Sequence, residues 1–109
     1  MDVDKETQEK IQELQASEHN LQRLMMQKQA FQMELTETEN AISEISKTGE
    51  DVFKLVGQIM IKSDKKKIQE ELSKKQELLS LRVKSLEKQE AEITKSLEEL
   101  KKEVMKKLK

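Results

Sequence analysis

The chain has 109 residues, of which 39% are charged, 34% hydrophobic and 2% aromatic, and its formal net charge is −1. Average globular domains carry roughly 25% charged and 45–50% apolar residues, so this composition excludes a protein that wraps a thick core around itself. The absence of cysteine excludes a disulfide framework, a thiolate nucleophile and a cysteine-based zinc site. Charge-rich sequences without proline, dominated by Glu, Lys, Leu and Gln, are typical of long helices and coiled coils.

The sequence gives no signal for a membrane or for secretion. It shows no basic-then-apolar leader at its start. Its longest apolar-looking stretch, Leu55 to Ile61, is far shorter than the ~20 residues that span a bilayer. We therefore expect a soluble, cytoplasmic protein that does not bind a membrane.

The first half of the chain predicts a helix over residues 5–47. With Leu14 at heptad position a, mostly apolar side chains recur every 3.5 residues on average, as in a coiled coil. Gly49 follows the helix and is suited to the left-handed conformation that often ends one. The residues at positions a and d are Leu14, Ser17, Leu21, Leu24, Lys28, Phe31, Leu35, Thr38, Ile42 and Ile45.

The second half predicts a helix over residues 64–108, for which Ser63 and Asp64 are suitable N-cap residues. Each helix would be roughly 65 Å long at 1.5 Å per residue. Positions d and a of the second helix are Leu72, Gln76, Leu79, Val83, Leu86, Glu90, Ile93, Leu97, Leu100 and Val104.

The two predicted helices carry opposite charge. Residues 1–50 hold 11 acidic and 5 basic side chains, a net charge of −6, and residues 51–109 hold 11 acidic and 16 basic side chains, a net charge of +5. The first helix is therefore expected to pair with the second, and a short connector makes that pairing antiparallel. The pairing places Asp2, Asp4, Glu6 and Glu9 beside Lys101, Lys102, Lys106, Lys107 and Lys109, where each group complements its own helix dipole.

Between the helices, residues 51–62 predict a β-hairpin, because the apolar period changes from 3.5 to 2 around a central glycine, Gly57. The odd-numbered residues Phe53, Leu55, Ile59 and Ile61 share one face only if the loop has an odd length, for instance three residues including Gly57. The other face would then be mixed, with Val52, Lys54, Met60 and Lys62.

Such a hairpin predicts an oligomer. A lone two-stranded hairpin is marginally stable in water, and this one would leave two strand edges and an apolar face uncovered. The most economical cover is a shared sheet or barrel built from several chains. The residues predicted to mediate this assembly are Val52, Phe53, Leu55, Val56, Ile59, Met60 and Ile61.

The whole pattern resembles a known family. A long helix, the string Val52-Phe53-Lys54-Leu55-Val56-Gly57-Gln58-Ile59-Met60-Ile61-Lys62 and a second helix with Leu86-Glu87-Lys88-Gln89-Glu90 are similar to the β-type subunit of prefoldin, of the archaeal type and like the eukaryotic β-class subunits. The resemblance implies a mainly α, single prefoldin-like domain over residues 1–109, with a long antiparallel two-helix coiled coil and one central hairpin.

The resemblance also implies an assembly and a function. Two α-type and four β-type prefoldin subunits would form a hexamer, with the hairpins joined into a β-barrel platform and the helix pairs hanging from it. The open ends of the helix pairs would hold unfolded polypeptide clients without ATP and deliver them to a group II chaperonin.

The ends of the helix pair are the expected client-binding tips, because fraying there would expose apolar side chains to solvent. Each such residue offers ~1.5–3 kcal/mol when buried against a client, and several weak tips gain avidity by acting together. The tip residues are Val3, Ile11, Leu14, Leu100, Val104, Met105 and Leu108.

No residue pattern indicates catalysis, a cofactor or a metal site. The sequence contains no Ser-His-Asp constellation, phosphate-binding glycine loop or HExxH motif, and its one histidine, His19, is expected to be an exposed helix residue. A net charge of −1, with no aromatics between the basic residues, argues against nucleic acid as a partner. We therefore do not expect an enzyme.

Three features leave alternatives open. The run Lys65-Lys66-Lys67 opposes the dipole of the second helix and either binds phosphate or balances Glu44, Glu50 and Asp51 at the end of the first helix. Lys28 and Glu90 interrupt the seam, and they either fix its register, as such residues usually do, or have a functional role. Met25, Met26, Met33 and Met105 suit either adaptable contact surfaces or ordinary gap filling.

The second function hypothesis is a structural coiled-coil scaffold or tether that binds no client. The hairpin discriminates between the two hypotheses, because a simple tether has no use for an apolar β-ribbon at its centre.

Overall fold

The computed structural model of the chain describes residues 4–108. Its elements in chain order are helix α1 (Lys5–Lys47), strand β1 (Asp51–Val56), strand β2 (Ile59–Asp64) and helix α2 (Lys65–Leu108). Two long helices joined by one antiparallel hairpin confirm the predicted fold class. The second strand runs two residues beyond the predicted hairpin end at residue 62, and α2 begins accordingly at residue 65 instead of 64.

Each helix starts at an aspartate cap. Asp4 Oδ1 accepts a hydrogen bond of 2.7 Å from the backbone N–H of Thr7, and Asp64 Oδ1 accepts one of 3.3 Å from the backbone N–H of Lys66. These bonds satisfy amides in the first turn that have no partner within the helix. Asp64 is thus the N-cap of α2, whereas Ser63 lies within β2 and pairs with Val52.

The end of α1 corrects one sequence expectation. Gly49 does not adopt the left-handed conformation, since Gly57 alone has a positive φ among the glycines of the described residues. Thr48 instead closes the helix, because its backbone N–H and its hydroxyl both donate to the Ile45 carbonyl, at 3.3 and 2.9 Å. Lys65 Nζ then donates to the Thr48 carbonyl at 2.7 Å, which places a cation at the negative end of the α1 dipole.

The helices pack through the predicted seam. All the residues assigned to positions a and d of both helices are buried or half-buried, and Thr7 extends the seam one heptad before Leu14. The charge pairing also agrees, because Glu6 lies 3.2 Å from Lys107 and Lys10 lies 3.2 Å from Glu103, as an antiparallel pair requires. The expected neighbours Asp2 and Lys109 lie outside the described residues. The buried apolar residues of the seam are Ile45, Leu79, Val83, Leu86, Leu97 and Val104.

Contacts divide the chain into two compact units. The terminal unit comprises residues 4–29 and 84–108, where the first part of α1 packs against the last part of α2. The hairpin unit comprises residues 30–83, with the hairpin and the adjoining helix segments. Within the hairpin unit, Arg82 lies over the ring of Phe31, 5.5 Å from its centroid, and the buried Thr38 hydroxyl donates to the Glu34 carbonyl at 2.8 Å.

The hairpin register shows that the predicted three-residue loop was wrong. Val56 pairs with Ile59, so the turn has two residues, Gly57 and Gln58. Gly57 has φ of +63° and no other described residue has a positive φ, the pattern of a type II′ turn with glycine first. A turn of even length places side chains of opposite parity on one face, so the four odd-numbered apolar residues do not share a face.

The observed register distributes the apolar side chains over both faces. We call them the Val52 face and the Phe53 face. The Val52 face carries Val52, Lys54, Val56, Ile59, Ile61 and Ser63, and the Phe53 face carries Asp51, Phe53, Leu55, Met60, Lys62 and Asp64.

Candidate interaction surfaces

The hairpin is the most apolar exposed surface of the described chain. Each face presents three large apolar side chains that are 50–68% exposed to solvent. At the base of the hairpin, Val52 is buried, and Lys54 makes an ion pair of 3.2 Å with Glu71 of α2. The exposed residues are Phe53, Leu55 and Met60 on the Phe53 face, and Val56, Ile59 and Ile61 on the Val52 face.

This distribution makes the hairpin more dependent on partners than the sequence indicated. A ribbon with one apolar face must be shielded from water on one side, whereas a ribbon with two apolar faces must be shielded on both sides. Its two strands also leave two edges whose backbone groups can extend a sheet. Burying six such side chains at ~1.5–3 kcal/mol each is enough to drive a stable association.

A cavity of about 740 Å³ lies where the hairpin meets the helices. Its walls combine the hairpin with both helices, so it opens beside the exposed ribbon. The apolar residues that line it include Ala41, Ile45, Val52, Phe53, Ile68 and Leu72.

The predicted tip residues fall into two groups in the terminal unit. Ile11, Leu14 and Leu100 are half-buried, and Val104 is only 6% exposed, because they pack in or beside the seam. Met105 and Leu108 are 56% and 40% exposed. Val3 lies outside the described residues.

Ion pairs hold the helix ends together. Lys107 Nζ lies 3.2 Å from Glu6, and Lys10 Nζ lies 3.2 Å from Glu103 and 3.7 Å from Glu6. The Glu103 carboxylate raises the pKa of Lys10, against the desolvation that lowers it. These ion pairs favour the antiparallel pairing of the helix ends, and the half-buried tip residues become fully accessible only when the ends separate.

The two charged seam residues of the terminal unit face each other. Lys28 Nζ lies 2.8 Å from Glu90 Oε2, with both side chains about three-quarters buried, at 26% and 23% exposure. Glu90 raises the pKa of Lys28, against the desolvation that lowers it. Glu90 Oε2 is buried, and its partner among the described residues is the Lys28 ammonium.

The helices also expose apolar side chains in mid-chain. Met26 and Met33 of α1 are well exposed, and so are Leu78 and Leu81 of α2. Sequence reasoning found the methionines but missed the leucines, although both lie off the a and d positions and are therefore predictable as outward-facing. Met25, next to Met26 in the sequence, is also exposed.

Of the three lysines 65–67, Lys65 stabilises the end of α1 through the Thr48 carbonyl and not through an acidic side chain.

Within residues 4–108 there is no group of three His, Cys, Asp or Glu residues that could hold a metal ion. Nor does any helix of these residues have the length and apolar character needed to cross a membrane.

Paired helices that carry an uncovered apolar ribbon define a subunit of a larger assembly. A model of the family described as "Prefoldin subunit" matches residues 8–109, and the chain belongs to this family. The family is a chaperone component and not a family of enzymes.

The relatives point to the β-type within the family. The chain is 41% identical over 90 residues to "Prefoldin subunit beta" of Thermococcus onnurineus, covering 81% of this chain and 78% of the relative. It is 35% identical over 97 residues to the protein of that name from Saccharolobus islandicus, covering 87% and 77%. The crystal structure of the prefoldin beta subunit from Thermococcus strain KS-1 superposes with a TM-score of 0.87 at 34% identity, covering 96% of this chain and 94% of that one.

Proposed function

We propose that the chain is a β-type subunit of an ATP-independent holdase, which binds non-native polypeptides at the ends of its helix pairs. The observation that carries this proposal is the hairpin with three exposed apolar side chains on each face. Such a ribbon requires other chains, and a prefoldin subunit assembles with other prefoldin subunits.

The assembly we propose is the hexamer of two α-type and four β-type subunits, with the hairpins joined into a β-barrel platform. Both free edges of the hairpin support this arrangement, because edge-to-edge pairing continues the sheet from one chain to the next. Its contacts would be made by the seven predicted assembly residues: Val52, Phe53, Leu55, Val56, Ile59, Met60 and Ile61.

Client binding is proposed to begin at the exposed part of the tip. Met105 lies in a groove of about 360 Å³ whose other lining residues are Lys101, Lys102 and Lys106. A flexible thioether among lysines suits unfolded segments in which apolar and acidic residues alternate. Opening of the helix ends would then add the half-buried residues Ile11, Leu14, Leu100 and Val104, and Val3 is proposed as a further contact.

The bound client would pass to a group II chaperonin in the cytoplasm. Neither step requires a nucleotide or a catalytic group on this chain. The proposed chemistry is reversible burial of apolar surface, made effective by several tips acting on one client.

The test of tip binding is suppression of aggregation of a denatured model protein by the complex reconstituted with an α-type partner. Met105→Glu combined with Leu108→Glu is expected to weaken suppression several-fold. Removal of residues 1–10 and 100–109 is expected to abolish it. Met26→Glu is the matched control, because Met26 is equally a well-exposed methionine but lies away from the tip.

The same experiment distinguishes the scaffold hypothesis. If the assembly forms with both ends removed and suppression is unchanged, the tips do not bind clients and the chain acts as a structural tether. Native mass measurement of each complex must accompany the assay, so that loss of assembly is not read as loss of binding.

A further inference from the structure

Met105 is a methionine that lies at the proposed client-binding tip but outside the seam between the helices. Its side chain is 56% exposed, whereas the neighbouring Val104 lies in the seam and is buried. The chain contains no cysteine, so the methionine thioethers are the sulfur groups that an oxidant can attack. A chemical change at the Met105 sulfur would therefore alter the surface of the tip without disturbing the packing of the helices.

The side chains around Met105 carry positive charge. Lys101 and Lys102 lie one turn before it on α2 and Lys106 follows it, and the four residues line one groove of about 360 Å³. Lys101 lies 3.9 Å from Glu18, whereas Lys102 and Lys106 form no ion pair with another of residues 4–108. The groove thus combines an accessible thioether with ammonium groups.

A peroxide oxidises a thioether by transferring one oxygen atom. A lone pair of the sulfur attacks one peroxide oxygen, the O–O bond breaks, and the rest of the peroxide leaves as water from hydrogen peroxide or as hydrogen sulfate from peroxymonosulfate. The sulfur loses two electrons and the peroxide gains them. The product, methionine sulfoxide, is polar, and methionine sulfoxide reductases A and B return it to the thioether. In that reduction a dithiol becomes a disulfide and the oxygen leaves as water.

The lysines predict which peroxides reach Met105 fastest. Positive side chains attract an anionic peroxide such as peroxymonosulfate, but they do not attract neutral hydrogen peroxide. Met33 offers the comparison, because it is similarly exposed, at 62%, and its charged neighbours within one turn of α1 are Glu34 and Glu37. Glu34 is paired with Lys75, and Glu37 forms no ion pair among the described residues. The surroundings of the two sulfurs therefore differ in the sign of their charge.

We infer that Met105 is a reversible oxidation site for peroxides, preferentially anionic ones, and that its sulfoxide weakens client binding at the tip. The thioether supplies flexible apolar surface, which the added oxygen makes polar. The sulfoxide oxygen also accepts hydrogen bonds, so it competes with acidic residues of a client for the lysines of the groove. The inference rests on the proposed function, because oxidation of Met105 affects client binding only if the tip binds clients.

The first measurement is the oxidation rate at each methionine in the complex with an α-type partner, read by peptide mass spectrometry as the gain of one oxygen. The ratio of the Met105 rate to the Met33 rate is expected to be about two- to fivefold higher with peroxymonosulfate than with hydrogen peroxide at low salt. In ~0.5 M salt this difference between the oxidants is expected to disappear. Equal ratios at low salt would overturn the preference for anionic peroxides.

Removal of the lysine charges tests the cause of that preference. Lys102→Gln combined with Lys106→Gln is expected to bring the ratio with peroxymonosulfate down to the ratio with hydrogen peroxide. The matched control is Lys88→Gln combined with Lys95→Gln, which removes the same charge from exposed positions of α2 at least roughly 15 Å from Met105 along the helix. Equal effects of the two double variants would show that the groove does not select the oxidant.

The second measurement is suppression of aggregation of a denatured model protein before and after hydrogen peroxide. Once Met105 is oxidised, the concentration of complex that gives half-maximal suppression is expected to rise about three- to tenfold. Treatment with both sulfoxide reductases is expected to reverse this rise. Met105→Leu keeps an apolar side chain without sulfur, so its complex is expected to suppress aggregation normally and to keep that activity after the same oxidation. Native mass and the melting temperature are expected not to change, because Met105 lies outside the seam.

The outcomes separate this inference from the function on which it rests. An equal loss of suppression in the oxidised Met105→Leu complex would place the effect at other methionines and overturn the inference. Normal suppression by a complex whose Met105 is oxidised would overturn it too, while a loss caused by Met105→Glu with Leu108→Glu would leave the tip function in place. Normal suppression by that double variant would refute client binding at this part of the tip, and the inference with it.

Discussion

The hairpin and the terminal unit handle apolar surface in opposite ways. The hairpin exposes large apolar side chains on both faces, and Val52 is its one buried apolar residue. The terminal unit hides most of its apolar side chains in the seam and leaves Met105 and Leu108 exposed at its end. In the function proposed above, other chains cover the first surface permanently and the second opens reversibly.

The largest expected effect concerns the hairpin, whose apolar surface is proposed to be covered permanently. Phe53→Asp and Ile59→Asp lie on different faces of the hairpin, and each removes ~1.5–3 kcal/mol of apolar burial from the assembly. Each variant is expected to weaken association roughly ten- to a hundredfold, and the two together on the order of a thousandfold. Native mass measures the assembly and circular dichroism the retained helix.

Comparing the two variants tests whether both faces of the hairpin are covered in the assembly. Comparable losses mean that both faces are covered in the assembly. If only one variant weakens association, the other face is free and the need for cover on both sides is refuted. Gln58→Asp, at the turn itself, is the control and is expected to assemble normally.

The next effect concerns the turn that sets the faces. Gly57→Ala forces a side chain onto a backbone with φ of +63°, which is expected to cost ~1–2 kcal/mol and to lower the yield of assembled oligomer at limiting concentration. Gly49→Ala is the matched control, because Gly49 has no positive φ and an added Cβ meets nothing within 4 Å. Equal effects of the two variants would show that the turn does not control assembly.

Within the terminal unit, the two single variants of the seam ion pair are expected to differ in melting temperature. Lys28→Leu leaves the buried Glu90 Oε2 without its cation, whereas Glu90→Leu leaves a lysine whose long side chain can reach water. Lys28→Leu is therefore expected to lower the melting temperature more than Glu90→Leu. The double variant is expected to melt higher than either, as followed by circular dichroism. A double variant that melts lower than both would show that the pair stabilises the seam.

The smallest expected effect is the pH dependence of the α1 cap. Hydrogen bonding with the Thr7 side chain, and then with the Thr7 backbone N–H, lowers the pKa of Asp4 below its usual value of about 3.9. The cap therefore stabilises the first turn fully above about pH 4, and this stabilisation is lost as the pH falls through the lower folded-state value. Hydrogen exchange at the Thr7 amide is expected to accelerate with acid beyond its intrinsic pH dependence. Asp4→Asn keeps the cap acceptor without the titration and is expected to lack this effect.

The helix pair was predictable from the sequence because its signal is local. Leu14, Leu21 and Leu35 repeat at heptad spacing, and the seam follows from that period without knowledge of the partner. The opposite charges of the two halves similarly predicted antiparallel pairing, which the contact between Glu6 and Lys107 confirms. The resemblance to the prefoldin β-type was confirmed by the family match over residues 8–109 and by the relatives of that name.

The faces of the hairpin were not predictable in the same way. The expectation that Phe53 and Ile59 share a face assumed that a ribbon hides its apolar side chains from water on one side. That assumption suits a chain that folds alone, whereas in the assembly proposed above other chains cover both sides of the ribbon. The capping of α1, though not its end at residue 47, was also missed, because the bond from Lys65 to the Thr48 carbonyl joins residues that only the folded hairpin brings together. Which of the tip residues contact a client stays a prediction. Four of them lie in or beside the seam, where they already pack within the chain.

The bond between Lys65 and Thr48 has a consequence for how the ribbon can vary. It closes the base of the hairpin, so both strands are an insert between two fixed points on the helices. Adding two residues to each strand would lengthen the insert and keep every existing side chain on its present side. Adding one residue to each would turn the distal part of the ribbon over relative to the helices. Viable length changes in this insert should therefore come in even steps per strand, while the helix junction stays the same.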